Sequence, residues 1–294
     1  MTISRHRWQG ATRIVLGLLV LGAATACSTI QSPLDTSGLS LSSTPLYGKF
    51  VWHDLMTEDP AAVKRFYAGL LGWEYHDATA FNKPYTLVKA NGQYVAGIVK
   101  VRRPDPEKPV SQWISYLSVP DVDAAVGTTA DKGGETVAAA RDIPNIGRAA
   151  VVTDPEGAPL GLLHSDIGDP DDSTGNARGQ FLWMELLADD PVVAAAFYQA
   201  LAGYEVEEVE IGGGPYRVLR RGVERAGVLK NPVKGAAPIW LPYVVVEDPV
   251  SAVDKVRELG GRVLLAPKPE VRKGTLALVE DPSGAVLALQ KWPL

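Results

Sequence analysis

Two strand-like stretches carry the side chains most able to do chemistry: FVWHDLMTEDP at 50–60 and FLWMELLADDP at 181–191. The first holds His53, one of four histidines in 294 residues, next to Asp54; the second has Met184 and Glu185 at the matching positions. A histidine among carboxylates can ligate a divalent metal or move a proton. A histidine in an apolar strand can equally be a core residue that needs one hydrogen-bond partner. Neighbouring side chains in a strand point to opposite faces, so His53 is expected to share a face with Val51 and Leu55, away from Trp52 and Asp54. In the second stretch that face reads Leu182, Met184 and Leu186, all apolar. His53 is therefore expected to pack against a core under helices. The other face reads Trp52, Asp54 and Met56, and then Trp183, Glu185 and Leu187. An indole beside a carboxylate suits a small, flat, cationic ligand: the ring supplies area and cation–π attraction, the carboxylate supplies orientation.

The other histidines add little. His6 lies in the N-terminal segment, His76 in the polar stretch EYHDATA and His164 near the end of a strand. A metal site built from His53, His76 and His164 has no ligand spacing to recommend it. Cys27 is the only cysteine, so an intramolecular disulfide is excluded. No glycine-rich phosphate loop, serine-nucleophile elbow or Cys–His pair is present. A net charge of −5 without a Lys/Arg-rich stripe argues against nucleic-acid binding.

The elements that position these residues follow from a repeat. Phe50, Asp59, Phe66 and Gly72 match Phe181, Asp190, Phe197 and Gly203, all 131 residues apart. WISYLSVPDVDAAV and WLPYVVVEDPVSAV, then TDPEGAPLGLL and EDPSGAVLALQ, match at 127. Each copy is itself nearly doubled. Asp59, Asp121, Asp190 and Asp248 follow strand-like runs and precede helical patterns, as N-caps do. Pro60, Pro191 and Pro249 take the first helical position, and Val63, Phe66, Tyr67 and Leu70 mark one buried helix face. Gly72, Gly133, Gly203 and Gly260 end the helices, and turn residues such as Asn91-Gly92 divide the strands that follow. The unit is a strand, a helix and three strands, four times over. The expected class is α+β: two tandem modules, each of two βαβββ units forming a cupped mixed sheet.

This order, with WxDL/WxEL, FY-x-x-L-x-G and the D-P-x-G turns, resembles the vicinal oxygen chelate superfamily over about Lys49 to Leu294. The superfamily includes glyoxalase I, extradiol dioxygenases and the bleomycin and fosfomycin resistance proteins. The resemblance implies a divalent metal held in the cup by His and Glu. The positions it assigns to those ligands carry Trp52, Ile114 and Gly161 in the first copy, and Trp183, Leu241 and Ala288 in the second. None of these side chains is a metal ligand. No cofactor is expected, and the candidate ligand-binding residues are Trp52, Asp54 and Tyr116, with Trp183, Glu185 and Tyr243 in the second cup. The carboxylates are alternatively expected to cap turns or to pair with Arg217 or Arg148. The expected function is small-molecule binding, as the bleomycin-resistance proteins sequester their drug. The alternatives are a metal-dependent lyase or dioxygenase with displaced ligands, and a structural envelope protein whose cups bind partners.

The N-terminus points to export. Arg5, Arg7 and Arg13 precede an apolar run from Ile14 to Ala26, shorter than the roughly 20 residues a membrane span needs. LGAATACS resembles a bacterial lipoprotein box that would leave Cys27 N-terminal and lipid-bearing; Ala24-Thr25-Ala26 also fits an ordinary secretory cut. The expected organisation is a signal peptide at 1–26, a flexible tether at 27–46, module one at 47–165, a linker at 166–178 and module two at 179–294. Lipid on Cys27 would attach the protein to the outer membrane, facing the periplasm; without lipid it would be secreted.

Overall fold

The computed structural model describes residues 41–42, 44–80, 83–102, 110–172, 177–212 and 214–292. The expected signal peptide, Cys27 and the tether as far as residue 40 lie outside the described residues. In the first module β1 (Phe50–Thr57) leads to α1 (Pro60–Leu71), then β2 (Glu74–Ala80), β3 (Lys83–Ala90) and β4 (Gln93–Lys100). β5 (Gln112–Ser118), α2 (Val122–Asp131), β6 (Glu135–Ile143), β7 (Gly147–Thr153) and β8 (Pro159–Ser165) repeat the pattern. The second module begins with β9 (Phe181–Ala188), α3 (Pro191–Ala202), β10 (Glu205–Ile211), β11 (Gly214–Arg221) and β12 (Val223–Lys230). It ends with β13 (Ile239–Val246), α4 (Pro249–Glu258), β14 (Arg262–Leu265), β15 (Leu276–Glu280) and β16 (Val286–Lys291).

Each module is one eight-stranded mixed sheet, curled into a half-barrel, with β1 against β5 or β9 against β13 at its centre. The α+β class and the two tandem modules are as the repeat required. The caps explain where each helix starts: Asp59 accepts from the Ala62 amide at 3.0 Å, Asp121 from Ala124 at 3.0 Å, and Asp190 and Asp248 from two amides each. Each such cap contributes about 1 kcal/mol.

The helices lie between the modules, α1 against α4 and α2 against α3. One core joins α3 to β7 and β8, and the other joins α1 to β15 and β16, so each helix layer is shared. The contacts are reciprocal. Tyr67 donates to Asp281 at 3.1 Å, and Tyr198 donates to Asp154 at 3.1 Å. Likewise the Trp73 indole donates to the Gly179 carbonyl, and the Tyr204 hydroxyl to the Gly48 carbonyl. Leu41 bridges to Pro170, and the Ser42 and Leu46 amides bond to Asp169, so the end of the tether is held against the linker.

Strand alternation needs one correction. The β1–β5 pairing shifts between Phe50 and Trp52, and the β9–β13 pairing shifts between Tyr243 and Val244. The bulges turn Val51 and Leu182 away from the helices. Val51 packs with Tyr116 and Leu163, and Leu182 with Tyr243 and Leu241. Phe50 and Phe181 take the inner face instead: Phe50 meets Trp240 at 4.7 Å and Phe181 stacks on His53 at 3.8 Å between centroids. Both faces accept an aliphatic side chain, so composition alone did not reveal the shift.

Candidate functional site

His53 lies on the inner face with Leu55, buried, and shares a 2.8 Å hydrogen bond between Nδ1 and Ser115 Oγ. Burial pushes its pKa down to about 3, so the ring is neutral through the physiological range. Neither His76 nor His164 joins it. His76 meets the Tyr94 ring edge-on, and His164 bonds to the Val119 carbonyl. Among the described residues, no group of three His, Cys, Asp or Glu side chains is placed to hold a metal ion.

The opposite faces bring the expected residues together. In the first cup, Trp52 pairs across the ladder with Tyr116, and Asp54 with Ile114. The Trp52 indole donates to Asp54 Oδ1 at 3.0 Å and to Tyr85 Oη at 2.9 Å, and Tyr85 donates to Asp54 Oδ1 at 2.7 Å. Tyr116, across the ladder from Trp52, also acts on the Asp54 carboxyl and lowers its pKa. Burial, followed by the field of Asp54, pushes both phenols well above their ordinary pKa, so they remain donors. Burial also raises the Asp54 carboxyl, against the pull of those donors.

Two glycines make room for this arrangement. A Cβ on Gly97 would lie 1.8 Å from Tyr85 Oη and 2.4 Å from Asp54 Oδ1; one on Gly161 would lie 2.2 Å from the Tyr116 ring. Gly161 stands where the resemblance put a carboxylate ligand, and here it is covered by an aromatic ring. Trp52, at another ligand position, offers only an N–H that is already given to Asp54 and Tyr85.

The second cup repeats the set with one addition. Trp183 donates to Tyr216 Oη at 2.9 Å, Tyr216 donates to Glu185 Oε1 at 2.9 Å, and Tyr243 donates to Glu185 Oε2. Arg272 Nη2 also donates to Glu185 Oε1 and forms a salt bridge with it. The guanidinium carbon lies 5.5 Å from the Tyr243 ring and 6.0 Å from the Tyr216 ring. Neither expected arginine pairs with the cup carboxylates: Arg217 pairs with Glu208, and Arg148 with Asp123 and Asp142. Arg217 follows Tyr216 on β11 and so takes the other face of the strand, across the ladder from Glu208.

Tyr85, Tyr216 and Arg272 were not among the sequence candidates. The tyrosines had a legible signal, since each is 131 residues from the other and faces a repeated glycine, Gly97 or Gly227. Arg272 had none beyond its difference from Asn145 in the first copy. A separate cleft of about 180 Å³ opens between the modules, lined by Lys49, Phe50, Phe181, Trp183 and Arg225 among others. Asp172 bridges its two cations, at 3.0 Å from Lys49 and 2.6 Å from Arg225.

These sheets and cups have known counterparts. The sequence matches the glyoxalase-like domain over 51–163 and again over 183–289. It is 36% identical over 246 residues to "Putative glyoxylase CFP32" of Mycobacterium tuberculosis (strain CDC 1551 / Oshkosh), covering 82% of this chain and 93% of that protein. It is 31% identical over 255 residues to the anthracycline biosynthesis protein DnrV of Streptomyces peucetius, covering 81% and 91%. Among solved structures, the Mn(II)-bound glyoxalase from Novosphingobium aromaticivorans superposes with a TM-score of 0.56 at 16% identity, covering 83% of this chain and 82% of that one. An extradiol ring-cleaving dioxygenase from B.fuscum gives 0.54 at 14%, covering 86% and 74%. With both half-barrels, the duplicated motifs and most of the length accounted for, the chain belongs to the glyoxalase-like domain family of the vicinal oxygen chelate superfamily, in two tandem copies.

Proposed function

We propose that this protein is a small-molecule binder that uses the cup of its first module and does not depend on the family's metal. The observation that carries this reading is the difference between the cups. In the second, Glu185 is only 2% exposed and is bonded to two phenols and the Arg272 guanidinium. In the first, Asp54 is also buried, at 8%, but its donors among the described residues are neutral, and Trp52, Tyr85 and Tyr116 around it are half-buried where Tyr216 and Tyr243 are buried. A concave site with aromatic walls and one orienting polar group is the usual form of a small-molecule pocket. Trp183, Glu185 and Tyr243 then hold the second cup closed rather than contacting ligand.

The donor set supports metal independence. An indole, an isoleucine and a ring-covered glycine stand at the family's ligand positions in the first cup. The test is a ligand-induced melting screen of the full chain, followed by Trp52→Ala. Loss of the shift for a hit is expected, and an unchanged shift would sink the assignment. Near-stoichiometric zinc, nickel, manganese or iron in protein purified without chelators would favour the metal-dependent enzyme instead. The proposed setting is the cell envelope, with lipid on Cys27 holding the module pair at the outer membrane. Intact mass of the mature N-terminus tests this, and an unmodified Cys27 would contradict it.

A further inference from the structure

The two cups are copies of one arrangement that differ in a single charged group. Trp52, Asp54, Tyr85 and Tyr116 correspond through the repeat to Trp183, Glu185, Tyr216 and Tyr243. In both, an indole donates to a phenol, that phenol donates to the carboxylate, and a second phenol stands on the neighbouring strand, donating to Glu185 from Tyr243 and acting on the Asp54 carboxyl from Tyr116. Arg272 corresponds to Asn145. Both take positive φ, 45° and 62°, in the turn that leads into the second-last strand of their modules, β15 and β7. The two turns share this residue's conformation, while the second copy adds a 3-10 turn at Arg272–Gly274 and a second positive φ at Lys273. What changes is that one copy sends a guanidinium onto its carboxylate and the other carries a short, neutral, exposed side chain.

The second cup therefore displays the kind of group that this carboxylate and these two rings accept: a planar, delocalised cation. Such an ion makes charge-assisted hydrogen bonds to the carboxylate in the ring plane and offers its faces to aromatic neighbours. The first cup retains the acceptor and both rings, but the contacts of Asp54 among the described residues include no such ion. Asp54 is also one methylene shorter than Glu185. Arg141 is an exposed side chain whose field acts on Tyr116 and which has contacts of its own.

We propose that the first cup recognises ligands through a guanidinium or amidinium group, seated on Asp54 between Tyr85 and Tyr116 as Arg272 is seated on Glu185 between Tyr216 and Tyr243. This rests on the reading of the first cup as a binding site and names the chemical class that it takes. Arg272 is then a built-in occupant of the second cup, and the protein has one open site per chain.

Three flat probes of nearly equal shape test this by calorimetry on the full chain: benzamidine (cation), benzamide (neutral) and benzoate (anion). Benzamidine is expected to bind one per chain, at least ten-fold tighter than the other two. Asp54→Asn, checked for an unchanged melting profile, is expected to remove that ten-fold preference. Independently of the first cup, Arg272→Ala is expected to raise the benzamidine stoichiometry from one to two, and Glu185→Gln added to it should restore one. Benzamide or benzoate binding as tightly as benzamidine, with loss on Trp52→Ala, would overturn the cation class and leave the first cup as a binding site. Binding of benzamidine that survives both Asp54→Asn and Trp52→Ala would overturn both readings. An Arg272→Ala chain that gains no second site would overturn the template on which the class rests.

Discussion

Tyr67 of the first module donates its phenolic hydrogen to Asp281 of the second at 3.1 Å, and Tyr198 returns the contact to Asp154 at the same distance. Each aspartate spends its other oxygen on amides of its own turn: Glu156 and Ala158 for Asp154, and Ser283, Gly284 and Ala285 for Asp281. One D-P-x-G turn thus both closes a hairpin and ties the modules together.

These aspartates give the fold a pH dependence. Burial, only partly offset by the amide donors, raises both pKa values to about 6. The folded state then holds protons that the unfolded state has lost, so their contribution to stability falls as pH rises from about 4 to about 6 and is level above. Asp281→Asn removes one titration. Relative to the variant, the wild type should lose about 2 kcal/mol between pH 4.5 and pH 7, measured by denaturant unfolding.

His53 acts in the opposite sense. Its folded pKa of about 3 lies below the ordinary value of 6.5, so its contribution is present above the ordinary value and is lost as pH falls toward 3. Replacing it by the residue its own repeat uses, His53→Met, should cost about 1 kcal/mol at pH 7 through the partner lost by Ser115. By pH 5 the variant should recover about 2 kcal/mol relative to wild type. An imidazole proton resonance of His53 that titrates near pH 6.5 would contradict its burial.

The Arg272–Glu185 pair closes the second cup, and breaking it from one side leaves a buried charge. Glu185 is nearly inaccessible, while a quarter of the Arg272 side chain is exposed. Arg272→Ala alone is expected to destabilise the chain by about 2–4 kcal/mol. With Glu185→Gln added, the total loss should be smaller than the sum of the single losses, a coupling that a double-mutant cycle reads directly.

Gly97 tests the packing of the first cup. A methyl there would press on Tyr85 and Asp54 together, so Gly97→Ala should cost about 1–3 kcal/mol and abolish ligand-induced melting shifts. A variant as stable as wild type, with binding intact, would show that the Tyr85–Asp54 contact is dispensable.

Much of the fold was legible because its signals are local and repeated. A capping aspartate, a proline behind it, an apolar helix face and a terminal glycine were enough to place the helices, and the repeat then assigned the strands. The faces of His53, Trp52 and Asp54 followed from alternation because all three lie beyond the bulge. Val51 and Leu182 did not, because an aliphatic side chain suits either side of a bulge equally well. Arg272 was hidden for a different reason. It sits in a turn at positive φ, without periodicity, and meets a carboxylate 87 residues away. Long-range polar contacts of that kind leave no trace in spacing, although comparing Arg272 with Asn145 would have flagged it.

The most direct measurement is a crystal structure of the protein with a hit from the melting screen. The expected result is ligand density in the first half-barrel, against Trp52 and Tyr116 and within hydrogen-bond distance of Asp54, while Arg272 still fills the second. Density for the ligand anywhere else, whether in the second cup or in the cleft between the modules, would contradict it.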